Sequence, residues 1–500
     1  MTDHYSQKLS FREKAGYSLG DSGANFVFQV LMAYQFFFFT KVMGISAFAA
    51  GTLFLIGRFF DAFTDPLMGI VADRTTHRWG RFRPWLVWSA LPFAGIFWMT
   101  FTTPDFGVTG RIVYAYIAYF LLMAVYTVNN VPYCALNGVM TGDINERTSI
   151  SSYRFVAVTI TTFIVQGLTW PLVAKFGQGD DARGWSITIG IFAVITAFLF
   201  VASFLSVKER VQPDPDQVSS PKQDLKDAFA NRAWVVLFFA TLMIFVMLVV
   251  RGGSMMFYIT DYVDADAMVS YLLNLGLVKP ADGVFSAGQA VLNTFGLLIE
   301  PDRSNAPNVA FAFLSMAGTL FVICGVLLSK PLSERFGKRE VFCFFLTLVA
   351  LATAWLFFIP PESIGLMFVQ SAVWGICWGP TVPLLWSMIG DCADFSEWKT
   401  GRRATGFMFA GIVFALKFGL GVGGFISGAI LSLYGYTNEA PPTDTALLGI
   451  RHAATFYPAA FLVAAVAILL FYPIDKALNY QIADDLAERR RKRDAQDKAE

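Results

Sequence analysis

The chain has 500 residues, 55% of them hydrophobic and only 15% charged, and its formal net charge is +1. A soluble domain carries about 25% charged residues, so this balance excludes an ordinary soluble enzyme, a disordered protein and a nucleic-acid binder. Fifty-one Phe and twelve Trp need lipid or a very large core, and neither the five scattered Cys nor the three distant His have the spacing of a disulfide framework or a metal cluster.

A helix that crosses a bilayer needs about 20 mainly apolar residues. Six such stretches are predicted at about 14–40, 47–73, 84–103, 111–140, 153–176 and 185–206. A polar segment with three prolines, 207–231, then reads as a surface linker. Six further spans follow at about 232–263, 306–330, 341–360, 363–390, 404–434 and 452–474. The expected fold is therefore an all-α membrane protein of twelve transmembrane helices in two six-helix bundles. The bundles occupy 1–206 and 232–474, and the second carries an outer insertion at about 264–305. Two apolar pieces of that insertion, 268–278 and 284–299, are too short to span and read as interfacial or extending helices. The charged tail, 475–500, is expected to be solvated. Residues 1–14 are polar and the first apolar run is too long for a cleavable signal.

Basic residues crowd alternate loops: Arg74, Arg78, Arg81 and Arg83, then Arg335, Lys338 and Arg339, then Lys399, Arg402 and Arg403. The positive-inside rule places these loops, both termini, the linker and the tail in the cytoplasm, and makes the protein a multi-pass component of the plasma (inner) membrane. The two halves also echo each other. Asp73-Arg74 and then Gly80-Arg81-Phe82-Arg83 follow the second span, and Glu334-Arg335-Phe336-Gly337-Lys338-Arg339 follows the eighth. Glycine permits a tight turn between spans, while acid–base contacts can latch helix ends. The repeat resembles the cytoplasmic loop signature of the major facilitator superfamily. Asp73 and Arg74 become gating candidates on that basis, and parallel repeats of six spans are a known transporter plan.

An ionisable group at mid-membrane costs about 2.5–3.5 kcal/mol on insertion scales and is a functional candidate by default. Span two contains Arg58-Phe-Phe-Asp61-Ala-Phe-Thr64-Asp65-Pro66. Asp61 and Asp65 share one helix face, and two anions there repel unless a cation or proton sits between them. With Thr64 they form an oxygen set suited to a hard monovalent cation, and Asp61 and Asp65 become metal ligands if that cation is sodium. The alternative is that both acids merely pair with Arg58 or with a base on another helix. Lys417, deep in span eleven among glycines, needs a counter-ion, which the aspartate pair can supply. A cation entering that pair would then weaken the lysine contact and so couple the two events.

Span one offers Asp21 and Asn25, span four Tyr126, Thr127, Asn129 and Asn130, and span five Arg154. Amides and an arginine beside aromatic rings suit a polyol, whose hydroxyls need partners and whose apolar face stacks on a ring. Trp378 and Trp386 are candidate stacking rings. The amides can equally serve as hydrogen-bonding glue between helices.

Together these residues resemble the glycoside–pentoside–hexuronide:cation symporter family over nearly the whole chain. The resemblance rests on the Asp61–Asp65 motif, Trp79-Gly-Arg-Phe-Arg-Pro-Trp85, Asn130-Val-Pro-Tyr133, Tyr153-Arg154-Phe155, Asp391-Cys-Ala-Asp394 and Lys417-Phe-Gly419. It implies a cation site at Asp61 and Asp65, a further oxygen from Thr127, modulation by Lys417, sugar hydroxyls bound by Arg154, and an inner gate that includes Asp391 and Arg403. Where the melibiose permeases carry acids, this chain has Asn25 and Asn130. That substitution disfavours a galactoside and admits a carboxylated sugar paired with Arg154. The expected function is cation-coupled symport of a sugar, glycoside or sugar acid with Na+ or H+ by alternating access, with no other cofactor. Expected partners are the small-molecule substrate, a monovalent cation and the bilayer, with no nucleic acid, and the protein is expected to be a monomer. The rival is a proton-coupled carrier or exporter of amphiphiles or lysolipids. A non-transporting receptor leaves the aspartate pair without purpose, and no nucleophile–base pair supports a membrane enzyme.

Overall fold

A computed structural model describes residues 8–141, 144–210, 226, 228–280, 284–401, 405–437 and 442–497. The first half comprises α1 (Phe11–Phe37), α2 (Ala47–Asp73), α3 (Arg83–Thr100), α4 (Val108–Met140), α5 (Ile144–Gly177) and α6 (Asp181–Ser206). The second half begins with α7 (Arg232–Phe257) and two short helices, α8 (Ala265–Asn274) and α9 (Ala287–Thr294). It continues through α10 (Ala306–Phe336), α11 (Lys338–Trp355), α12 (Ile364–Trp378), α13 (Thr381–Thr400), α14 (Thr405–Leu433), α15 (Asp444–Ala454), α16 (Phe456–Leu469) and α17 (Lys476–Asp497).

Among the described residues, eleven of the crossings are long and apolar enough to span a membrane. α12 with α13 forms one of them, and α15 with α16 another. The remaining helix of the expected twelve is α3. It has 18 residues, and Arg83, two prolines and three tryptophans lower its hydropathy, yet it packs against α4 and α6 like its neighbours.

The same pairings recur in both halves. α1 packs on α5 and α6, and α7 packs on α14 and α16; α3 meets α4 and α6, and α11 meets α12 and α16. The halves join along α2–α14, α5–α10 and α1–α7. Apolar association has little driving force in lipid, so close backbone approach matters more there. α2 and α14 achieve it through glycine: a Cβ on Gly51 would lie 2.8 Å from the Gly424 carbonyl, and one on Gly428 would strike the Ala47 carbonyl.

The echoing loops have a shared backbone cause. Gly80 and Gly337 adopt φ of 115° and 100°, which side-chain-bearing residues rarely reach. In the first loop the Glu209 carboxylate accepts the backbone N–H groups of Arg81, Phe82 and Arg83 at 2.9, 2.8 and 2.7 Å, at the N-terminus of α3 where the helix dipole favours an anion.

Two segments differ from expectation in detail. The tail, expected to be solvated, forms α17 and docks on α13. Ile482 and Leu486 are buried, Trp398 donates its Nε1–H to Asp485 at 2.8 Å, and Arg489 donates to the Trp398 carbonyl at 3.0 Å. The insertion contains the short helices α8 and α9, whose flanks meet in a single parallel bridge, Val278–Ile299. α9 starts with a capping box from Ser286 and Gln289. Its last carbonyls, Asn293 and Thr294, accept from Lys175 Nζ of α5, both at 2.9 Å, so the insertion rests on the opposite half.

Candidate cation and substrate site

Arg58, Asp61, Thr64 and Asp65 occupy successive turns of α2. Arg58 Nη1 donates to Asp61 Oδ2 at 2.7 Å within the helix, and its Nη2 approaches Tyr119 Oη at 3.5 Å. Asp61 is buried, so this pairing offsets the desolvation of its carboxylate. Asp65 draws its partners from elsewhere. Thr127 of α4 donates to Asp65 Oδ1 at 2.8 Å, and Lys417 of α14 donates to Asp65 Oδ2. The Thr64 hydroxyl bonds back to the Phe60 carbonyl at 3.1 Å. Its proton is therefore spent on its own helix and only its oxygen lone pairs stay available. The two carboxylates thus each carry a base, with Lys417 reaching across from the other half. A cation arriving between them must compete with Lys417 for Asp65.

A second polar group lies along the same face of α4. Thr127, Asn130 and Cys134 are spaced i, i+3 and i+7, and Tyr133 lies six residues, roughly 9 Å, beyond Thr127. Tyr133 stacks on Tyr17 of α1 with centroids 4.5 Å apart and planes 10° apart. Each hydroxyl donates to the other's backbone carbonyl, at 3.3 Å from Tyr17 and 2.9 Å from Tyr133. Arg154 of α5 lies over the Tyr133 ring, 5.8 Å from its centroid, and its Nε donates to Asp21 Oδ2. Arg154 is therefore already paired, although the sequence leaves it available for a carboxylated sugar. The acid it holds, Asp21, sits one turn before Asn25. Asn25 spends its Nδ2 donor on the Asp21 carbonyl at 2.9 Å. Asn130 accepts only a weak contact from Cys134 Sγ at 3.9 Å, and Asn129 joins α4 to α3 through Ser89 at 2.8 Å.

The central cavity lies between the halves and measures about 350 Å³. Of the substrate residues expected from sequence, only Trp378 lines it; Asp21, Asn25, Asn130 and Arg154 belong to the neighbouring α1–α4–α5 cluster. Trp378 stacks on Trp374 at 5.4 Å and 13°, whereas Trp386 stacks on Phe409 away from the cavity. Sequence reading missed Gln29, Gln166, Arg251 and Trp374, all in the wall. Arg251 carried a usable signal, a single charge inside an apolar span.

At the basic end, Asp391 accepts from Lys338 at 2.7 and 2.8 Å, a contact within the second half. Arg74 is exposed and closes α2 with its backbone N–H. Arg403 and the Asp73 side chain lie outside the described residues.

A family profile described as "MFS/sugar transport protein" matches residues 16–294 and 286–476. The inner membrane symporter YicJ of Escherichia coli is 34% identical, with 97% of each chain covered. The isoprimeverose transporter of Lactiplantibacillus pentosus is 30% identical, over 96% of this chain and 92% of its own. A glucuronide carrier protein homolog of Escherichia coli is 27% identical, with 97% of each covered. The solved structure of a bacterial homologue of the human drug peptide transporters PepT1 and PepT2 superposes with a TM-score of 0.61 at 12% identity, over 92% of this chain and 98% of its own, a likeness of fold alone. These relatives are transporters rather than enzymes, and they do not favour the lysolipid or amphiphile alternative. The chain, an integral multi-pass membrane protein, belongs to the MFS/sugar transport protein family and, within the major facilitator superfamily, to the glycoside–pentoside–hexuronide:cation symporters.

Proposed function

We propose that the chain moves a sugar or sugar derivative inward together with a sodium ion or proton, and that Asp61 and Asp65 bind that cation with Thr127. The observation that carries this reading is the Lys417–Asp65 pair. It joins the two halves at the acidic site, so cation occupancy and inter-half contact draw on one carboxylate. A cation that displaces Lys417 loosens α14 from α2, and the ligand that binds one arrangement better shifts the equilibrium toward it. Cation and sugar then bind more tightly together than apart. Asp21, Arg154, Asn130 and Trp378 serve the sugar in this reading. The basic loops orient both termini toward the cytoplasm, and Asp73, Arg74, Asp391 and Arg403 belong to the gate on that side.

The test is uptake into vesicles of a panel of sugars and sugar acids under an imposed sodium gradient and then a proton gradient. One gradient is expected to drive accumulation. Asp65→Asn is expected to abolish accumulation while leaving the protein inserted. Unchanged gradient-driven uptake in that variant would remove Asp65 from the cation site.

A further inference from the structure

The cavity wall holds one charged side chain, Arg251 of α7, and no Asp or Glu. Every other charge singled out within the membrane is paired: Arg58 with Asp61, Lys417 with Asp65 and Arg154 with Asp21. Arg251 has no carboxylate partner among the described residues, and its buried Nε lacks any acceptor. Among the described residues its one specific contact is the face of Trp374, 4.2 Å from guanidinium carbon to ring centroid. Stacking on an indole uses the faces of the guanidinium and leaves its N–H groups, which lie in its plane, available to an anion. A lone charge removed from water is costly, and a site that retains one is built for a counter-charge that arrives with the ligand.

The rest of the wall suits the remainder of such a ligand. Trp378 extends the Trp374 stack and offers an apolar surface to a pyranose face. Gln29 and Ser315, from opposite halves, lie in the same wall and can exchange hydrogen bonds with ring hydroxyls.

We propose that the substrate is a sugar that carries one anionic group, a carboxylate or sulfonate, and that Arg251 binds that group. This rests on the sugar-symport reading and narrows it. Arg154, with Asp21 in place, binds hydroxyls and not the anion. Because α7 belongs to the second half while Gln29 belongs to the first, a ligand held at both Arg251 and Gln29 draws the halves together around itself.

The experiment uses the purified full chain in proteoliposomes and matched methyl glycosides that differ only at C6: hydroxymethyl, carboxylate or sulfonatomethyl. Uptake is measured under sodium and proton gradients, with thermal stabilisation of the detergent-solubilised protein as a second readout. Wild type is expected to take up at least one anionic member with a KM about ten-fold or more below that of its neutral partner, the gain expected of a bidentate arginine contact. The carboxylate and sulfonate arms distinguish the two sources of charge. Arg251→Gln is expected to erase the preference, and Arg251→Lys to keep part of it. Equal or better uptake of the neutral member by wild type overturns the anionic assignment and leaves sugar symport standing; so does a preference that survives in Arg251→Gln. If no glycoside moves or stabilises the folded protein, the sugar-symport reading itself falls. The wild-type comparison needs no variant, so a misfolded substitution does not blunt the test.

Discussion

A charge inside a bilayer persists only with a partner, and the acids of the first half have drawn theirs from different distances. Asp61 finds Arg58 three residues away, Asp21 finds Arg154 across 133 residues and Asp65 finds Lys417 across 352. The Asp21–Arg154 pair is unequal, with side chains 6% and 36% accessible. Losing the arginine strands a buried anion, whereas losing the aspartate leaves a cation that can still reach water. Breaking a buried pair costs about 3–5 kcal/mol, and the accessible arginine reduces this to about 2 kcal/mol here. Arg154→Gln is therefore expected to lower thermal stability by about that amount and Asp21→Asn by less, with the double variant recovering part of the loss. Strict additivity in a thermal-unfolding cycle would show that the two side chains do not interact. The charges themselves were legible in the sequence because each interrupts an apolar run. The Arg58–Asp61 pairing was legible too, as a local alternative to a cation site. What the sequence could not show was which long-range charges meet. Arg154 looked free because its acid is 133 positions away, and Arg251, although it too interrupts an apolar run, gave no sign in the sequence that it lacks an acidic partner.

At the scale of elements, hydropathy located the helices well and their ends less well. α13 runs on to Thr400, past the predicted end near 390, because Asp391 is satisfied by Lys338 inside the fold and no longer marks a boundary. The last crossing breaks at Thr455, where α15 gives way to α16, a bend that hydropathy does not register. α17 was hidden because its mean composition is polar, although Ile482 and Leu486 form a buried stripe at i and i+4. The glycines of α14 were legible as permitting close approach, but not the helix they approach. The structure shows two: Gly411, Gly419 and Gly423 face α7, while Gly421, Gly424 and Gly428 face α2, the helix that bears both aspartates. Gly428→Val would drive a side chain into the Ala47 backbone, and overpacking of this kind typically costs about 1–3 kcal/mol. The α2–α14 seam also carries the Lys417–Asp65 contact, so this substitution is expected to cut the initial rate of uptake several-fold or more at equal protein level. Gly95→Ala on α3, where an added Cβ meets nothing within 4 Å, is expected to leave the rate unchanged. Equal rates in both variants would separate the seam from transport.

Across the whole molecule, several polar contacts between the halves gather at the end opposite the basic loops. The first helix of each half terminates there in a π-helical turn, Phe38–Val42 after α1 and Tyr258–Tyr262 after α7. Such turns are rare and frequently mark functional sites. Here they carry Lys41 and Asp261, whose side chains pair across the halves at 3.2 Å. Tyr436 donates to the same carboxylate at 3.2 Å, and its ring lies under the Lys41 ammonium, 5.3 Å away. Lys175, holding the end of α9, adds a second closure, which gives the insertion a place in the architecture as a strap over α5. Alternating access requires these contacts to part when the cavity opens on this side. The side chains of Lys41 and Asp261 are 24% and 11% accessible, so the pair is partly screened and contributes about 1 kcal/mol. Its loss shifts the two-state balance by a factor of about five. Asp261→Asn keeps the tyrosine bond and removes the charge, which isolates the ionic part. In a background with the native cysteines replaced, a cysteine at the cavity residue Ser315 is then expected to react about five times faster with a membrane-impermeant maleimide applied from this side. Saturating substrate and cation would change that rate further if the same equilibrium governs transport. An unchanged labelling rate in Asp261→Asn would mean that the strap alone holds this end closed, and would move the gate from the π-helical turns to the contact between Lys175 and α9.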